Sequence, residues 1–242
     1  MSINYNNYII KKKELTSIHQ PDFLPHINFF IKAKKSMQLV ILDDVQFLRR
    51  GWTHRDQILT KNGVEWITIP VKKTSRDAKI CNIEILKDNK IYVDILKKIK
   101  QAYSKSPFFE ETFEILNQIF NFPSTNLCKF NLNSIYILFD KLSINTEIFL
   151  QSNLNIKENK NDLLIGILKK LKSSHYLSGL GAKSYISESK FQKNKIKLYW
   201  NNFEIIKYEQ FNNSHDFVGD LSIIDMLFNC GIKKTKIIIN KI

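Results

Sequence analysis

The feature that most constrains this chain is a short apolar run, Leu15 to Ile18, ending on the polar string His19-Gln20-Pro21-Asp22, with a second apolar run, Met37 to Leu42, ending on Asp43-Asp44. Asn28 to Ser36, between them, has the pattern of a helix. Two strands joined through a helix make a βαβ unit with parallel strands. His19, Gln20, Asp43, Asp44 and Gln46 then follow the carboxyl ends of neighbouring strands. Open α/β sheets bind ligands in the crevice at those ends.

The rest of the chain extends this pattern. Gln57-Ile58-Leu59 and Trp66-Ile67-Thr68-Ile69-Pro70-Val71 flank Lys61-Asn62-Gly63, and Asn-Gly between apolar segments is a hairpin cue, with Pro70 ending or edging the second strand. Ile91 to Tyr103, Phe108 to Phe120 and Leu127 to Ser143 carry helical spacing. Asn161-Asp162 opens a helix to about Ser173, which feeds a strand over Tyr176-Leu177-Ser178-Gly179. Ile196 to Trp200 and Ile205 to Tyr208 read as strands, Asn212 to Asp220 as a polar loop, and a short helix follows. Ser222 and Asp225 form its capping box and Gly231 closes it. The predicted fold is α/β, a mostly parallel, Rossmann-like sheet with a helical middle segment and an α/β C-terminal part. One domain over 1–242 is expected, α/β over 14–75, mainly helical over 85–155 and α/β again over 160–242.

Composition narrows the function classes. No run approaches the roughly 18 apolar residues of a membrane span, and Tyr8-Ile9-Ile10 runs directly into Lys11-Lys12-Lys13, leaving no signal-peptide core; a cytoplasmic enzyme without a membrane span is expected. Cys81, Cys128 and Cys230 are isolated, so neither a disulfide framework nor a zinc site is indicated. The net charge of +14 comes from lysines spread along the whole chain. Without interleaved aromatics this predicts solvated faces and no nucleic-acid partner, while favouring phosphate-bearing small molecules or an acidic protein. The chain has no GxSxG, P-loop, HExxH or GxGxxG motif.

His19, at the end of an apolar strand, suits general-base chemistry or hydrogen bonding to a ligand, with Asp43 or Asp44 orienting its other ring nitrogen. The two aspartates serve equally as turn caps, and on an extended strand only one of them faces a given pocket. A metal held by one of them with His19 and His54 would need ligands from separate segments, and none is expected. Among the cations Arg49, Arg50 and Arg55 stand out, because a guanidinium binds phosphate or carboxylate through two donors. Trp52 and Trp66 suit either the core or stacking on a ring, and Ser178-Gly179 either a turn or a close backbone approach to a ligand. His175 is expected to be structural.

The strings His19-Gln20-Pro21-Asp22-Phe23-Leu24-Pro25 with Phe29-Phe30, Leu42-Asp43-Asp44-Val45-Gln46-Phe47, Trp52 with Arg55, and Trp66-Ile67-Thr68-Ile69-Pro70-Val71 occur in this order. Tyr176-Leu177-Ser178-Gly179 and Leu221 to Gly231 complete the series. Together they resemble the WbqC-like family over almost the whole chain. The sequence departs from that pattern at His26 and Asn28, where the family usually has Trp and Gly, and at His54 and Asp56, where Asn is usual.

The resemblance implies a role in bacterial surface polysaccharide biosynthesis, transferring an acyl or aminoacyl group to the amine of a nucleotide-linked amino sugar. A carrier-protein phosphopantetheine thioester or a CoA thioester would be the donor, and an acidic acyl carrier protein would suit the basic surface. In that reading His19 is the base, and Asp43 or Asp44 its partner. Gln20 or Gln46 contacts the oxyanion or the sugar, Arg55 contacts the phosphate, and Trp52, His54, Ser178 and Gly179 complete the substrate site. Two other readings stand beside it: nucleotidyl transfer of the HIGH type, and a non-catalytic protein that binds a glycan precursor or scaffolds partner enzymes.

Overall fold

The computed structural model describes residues 2–5, 8–11, 15–86, 89–202, 206–211 and 216–241. The strands are β1 (Ser2–Tyr5), β2 (Tyr8–Lys11), β3 (Leu15–His19), β4 (Gln38–Ile41), β5 (Arg55–Thr60), β6 (Gly63–Thr68), β7 (Glu147–Leu150), β8 (His175–Gly179) and β9 (Lys197–Asn201). The helices are α1 (Ile27–Lys35), α2 (Asn89–Tyr103), α3 (Phe109–Phe120), α4 (Leu127–Lys141), α5 (Lys160–Lys170), α6 (Glu188–Lys193) and α7 (Ile223–Lys241). They fall into two compact units that interleave along the sequence.

The first unit holds residues 1–20, 31–44 and 145–204. Its five-stranded sheet runs β7-β4-β3-β8-β9, and every neighbouring pair is parallel. Leu15, Thr16, Ser17 and Ile18 of the central β3 are all buried, as expected of a strand covered on both faces. Leu39, Val40 and Ile41 of β4 are buried too. From β3 the chain adds β4 and then β7 on one side, and β8 and then β9 on the other. Strand order therefore reverses between β3 and β8, the switch point at which such sheets open a ligand crevice. The Rossmann-like parallel sheet expected from the sequence is the one formed. Strands β1 and β2 pair as a separate antiparallel hairpin, for which no expectation was formed.

The second unit holds residues 21–30, 45–144 and 205–242. Helices α2, α3 and α4 form where the apolar spacing places them, and the interior they build is aromatic. Phe23 sits 6.3 Å from Phe120 and 6.4 Å from Phe130, Tyr103 stacks on Phe228 at 4.4 Å, and Phe29 lies 6.3 Å from Phe139. Strands β5 and β6 pair antiparallel from Arg55 with Thr68 to Thr60 with Gly63. The loop of that hairpin is Lys61-Asn62, one residue earlier than the Asn-Gly cue suggests. The Thr60 hydroxyl accepts the Asn62 N–H at 3.1 Å, and Gly63 begins β6 at φ +100°, where glycine carries no steric penalty.

The C-terminal segment departs furthest from expectation. Residues 206–210 form no strand, and Ile205 lies outside the described residues, as do 212–215 of the expected polar loop. Ser222 gives its hydroxyl hydrogen to the Leu24 carbonyl at 2.6 Å instead of closing a capping box, and Asp225 is wholly buried. Gly231 does end a helical stretch, at φ +69°, but the chain resumes the helix and reaches Lys241. Cys128 and Cys230 are buried and Cys81 is half-buried, and none of the three forms a disulfide.

Candidate functional site

The first unit brings six of the expected residues, His19, Gln20, Asp43, Asp44, Ser178 and Gly179, to the carboxyl end of its sheet. Strand β3 ends at His19 and β8 at Gly179, two residues past the paired Ser17 and Leu177. These two ends flank the switch point. Half-buried His19 has its Nδ1 3.0 Å from the carbonyl oxygen of Gln20. A carbonyl only accepts, so this contact assigns the hydrogen of neutral His19 to Nδ1 and makes Nε2 the basic nitrogen. The strand's own chain thus orients the ring by the arrangement usual for a general base.

Beside β3, His19 pairs in register with Ile41 of β4, and Leu42 donates its N–H to the His19 carbonyl at 2.7 Å. The following aspartates have different surroundings. Asp43 is buried, and both its oxygens are taken by Ser152: Oδ1 accepts the Ser152 N–H at 2.9 Å and Oδ2 its hydroxyl at 2.6 Å. It caps the 3₁₀ turn Gln151–Leu154 that follows β7. The Asp44 N–H donates to Oε1 of buried Gln151 at 3.1 Å, which ties the ends of β4 and β7 together, and the Asp44 carboxylate is half-buried. Gln151 and Ser152 were not foreseen, because only the pairing of Ile41 with Leu150 brings residues so distant in sequence to Asp43 and Asp44.

At β8, Ser178 is buried, with its hydroxyl 3.4 Å from the Gly179 carbonyl. Nothing lies within 4 Å of where a side chain at Gly179 would begin, so its backbone borders open space. Two lysines of α1 are buried beneath the sheet: Lys32 donates to the Ile18 carbonyl at 3.1 Å and Lys35 to Oδ1 of Asn201 at 3.4 Å. Burial holds the Lys35 ammonium below the usual lysine range. His175, its Nδ1 2.9 Å from the Ser174 hydroxyl and its ring stacked on Tyr199 at 5.8 Å, sits at the opposite end of β8.

The remaining candidates lie in the second unit. Exposed Gln46 donates to the Arg76 carbonyl at 2.6 Å and Arg49 to the Thr74 carbonyl at 2.8 Å, so both side chains pin their loop to the 74–80 segment. His54 is buried against Phe47, ring centres 5.2 Å apart; burial, and then the charge of Arg55, keeps its imidazole below the ordinary histidine range and so neutral at pH 7. Its Nδ1 and the Oγ1 of neighbouring Thr53 are buried without a hydrogen-bond partner. Asp56 faces inward from β5, and burial, reinforced by nearby Asp22, drives its carboxyl well above the usual carboxylate range, against the opposing effect of the Gln57 N–H at 2.6 Å. Trp52, Trp66 and Arg55 face outward.

Among the described residues no three or more His, Cys, Asp or Glu side chains are grouped to hold a metal ion, and no helix is long and apolar enough to cross a membrane.

Residues 20–237 match the WbqC-like protein family. An uncharacterized protein of Mycobacterium tuberculosis is similar to this chain, 25% identical over 217 residues that span 89% of the chain and 93% of that protein. No solved structure matches the chain.

Proposed function

Since the chain belongs to the WbqC-like protein family, we propose that it acts in bacterial surface polysaccharide biosynthesis by transferring an acyl or aminoacyl group to the amine of a nucleotide-linked amino sugar. The observation that carries this reading is His19 at the switch point, its Nδ1 held by the Gln20 carbonyl, across from the open backbone of Gly179.

Amide formation from a thioester needs a base for the amine proton and donors for the developing oxyanion. The amine nitrogen attacks the thioester carbonyl while Nε2 of His19 takes its proton. The C–N bond forms, the C–S bond breaks, and the imidazolium returns the proton to the departing thiolate. The Gln20 amide stands next to His19 as an oxyanion or sugar contact. Ser178 and Gly179 bound the opposite side, and Asp44 is the carboxylate that supports the charged imidazolium. Asp43, committed to Ser152, holds the loop. The donor is a carrier-protein or CoA thioester, and the excess of lysine favours an acidic carrier.

The test is incubation of the purified protein with UDP- or dTDP-linked amino sugars and acetyl-CoA or an acetylated acyl carrier protein, followed by mass spectrometry. An acylated sugar nucleotide formed by the wild type, and reduced about a hundredfold or more in His19→Ala, is expected of a general base. Release of pyrophosphate from ATP and Mg²⁺ would instead identify nucleotidyl transfer, and full pathway activity in His19→Ala a non-catalytic role.

A further inference from the structure

On the outer face of the β5–β6 hairpin, a lone tryptophan pair meets an arginine. Arg55 and Gln57 lie on one face of β5, opposite Thr68 and Trp66 of β6, so Arg55 is diagonal to Trp66. The Arg55 guanidinium stacks on the Trp66 ring at 4.1 Å, and Trp52, just before the strand, packs 5.1 Å from Trp66 at an interplanar angle of 43°. The inward residues of the hairpin, Asp56, Ile58 and Ile67, are buried. The tryptophans, by contrast, keep 42% and 36% of their surface exposed, which a core role does not explain.

The arginine is fixed before any ligand arrives. Its Nη2 donates to the Arg50 carbonyl at 2.6 Å and its plane rests on Trp66, so little side-chain freedom is left to lose. Its Nε is buried and without a hydrogen-bond partner. Exposed Arg50 adds a second positive charge on the same loop. A planar cation locked on one indole beside a second, tilted and exposed indole matches one ligand chemistry: a ring that stacks on the aromatic face and carries phosphate within reach of the guanidinium.

We propose that Trp52, Trp66 and Arg55 form a binding platform for a phosphorylated ring compound, the sugar or base of a nucleotide sugar stacking on indole while the phosphate meets Arg55. The proposal rests on the function above for the class of ligand but not for the chemistry at His19.

The test uses tryptophan fluorescence of the full chain in a Trp200→Phe background, which leaves Trp52 and Trp66 as its only tryptophans. UDP-N-acetylglucosamine, UDP, N-acetylglucosamine 1-phosphate and methyl N-acetylglucosaminide are titrated in turn. Saturable quenching by the phosphorylated compounds but not the neutral glycoside is expected. Equal affinity for UDP and the full nucleotide sugar would place the base on the platform, and binding of the sugar phosphate alone would place the sugar there. In the chain retaining Trp200, calorimetry should show a Kd raised about five- to a hundredfold by Trp52→Ala or Trp66→Ala, and a comparable loss in Arg55→Ala that Arg55→Lys only partly restores, with folding verified by circular dichroism. Unchanged affinity in these variants, no binding of any of the three phosphorylated compounds, or equal binding of the neutral glycoside overturns the proposal. Binding is read without an acyl donor, so loss of affinity in the platform variants and loss of turnover in His19→Ala are scored by separate measurements and the two failures are distinguishable.

Discussion

The hydroxyl of Tyr103 donates to Oδ1 of the buried Asp225 carboxylate at 2.7 Å and accepts the Leu59 N–H at 3.0 Å, joining the end of α2, strand β5 and the start of α7 through one phenol. The other oxygen of Asp225 accepts from the Tyr208 hydroxyl at 2.6 Å and the Gln210 amide at 2.9 Å. This network secures the second unit. It also explains the missing strand near Tyr208: the segment turns its side chains onto Asp225 rather than its backbone onto a sheet.

Tyr103→Phe removes both bonds of the phenol and strands a buried N–H and part of a buried carboxylate. It is expected to cost about 1–3 kcal/mol in denaturant-unfolding stability. Tyr208→Phe, which takes one donor from the same carboxylate, should combine with it non-additively, because the two hydroxyls share Asp225.

Asp56 sets a pH dependence. Its carboxyl is pushed well up by burial, with Asp22 adding to the effect, so the folded chain holds that proton more tightly than the unfolded chain does. The associated stability is fully present below the unfolded carboxyl pKa of about 3.9 and is lost as pH rises through the folded value. Asp56→Asn keeps an acceptor for the Gln57 N–H and abolishes the titration. Urea unfolding from pH 4 upward should therefore show a shallower decline for Asp56→Asn than for the wild type, with the variant at least as stable at pH 7.

Gly231 adopts φ +69°, and a side chain there would begin 2.5 Å from the Phe108 ring. Gly231→Ala should cost about 1–3 kcal/mol from backbone strain alone, with the clash added. Phe108 is partly exposed, so Phe108→Ala in the same chain should recover the steric part and leave the backbone part, which two melting curves distinguish.

Asp43 separates capping from catalysis. Asp43→Ala removes both bonds to the turn after β7 and should lower stability by about 0.5–2 kcal/mol, the range of a lost cap, whereas Ser152→Ala removes only the hydroxyl bond, keeps its N–H on Oδ1, and should cost less. Both should keep the pH profile of turnover, since neither side chain is assigned a proton in the reaction.

The layered architecture was legible because its signals are local. Buried parallel strands such as Leu15 to Ile18 and Leu39 to Ile41 are unbroken apolar or small-residue runs, and α2 to α4 repeat their apolar residues at helical spacing. Residues that act through distant partners were not legible. Nothing near Asp43 announces Ser152, and Asp225 looks like a helix cap until Tyr103 and Tyr208 stand around it. Gly231 marks a break correctly, yet its local signal is silent on whether the helix resumes. Trp66 was ambiguous between core and ligand until strand register set it beside Arg55 on the outward face.

In the proposed reaction His19 acts as the base. The most direct measurement is the pH profile of kcat for acyl transfer from an acetyl thioester to a UDP- or dTDP-linked amino sugar, in the wild type and in His19→Gln, read by mass spectrometry of the product. A rising limb is expected in the wild type and, in His19→Gln, a rate lower by about a hundredfold or more with that limb gone. Wild-type turnover and an unchanged limb in His19→Gln would contradict that role.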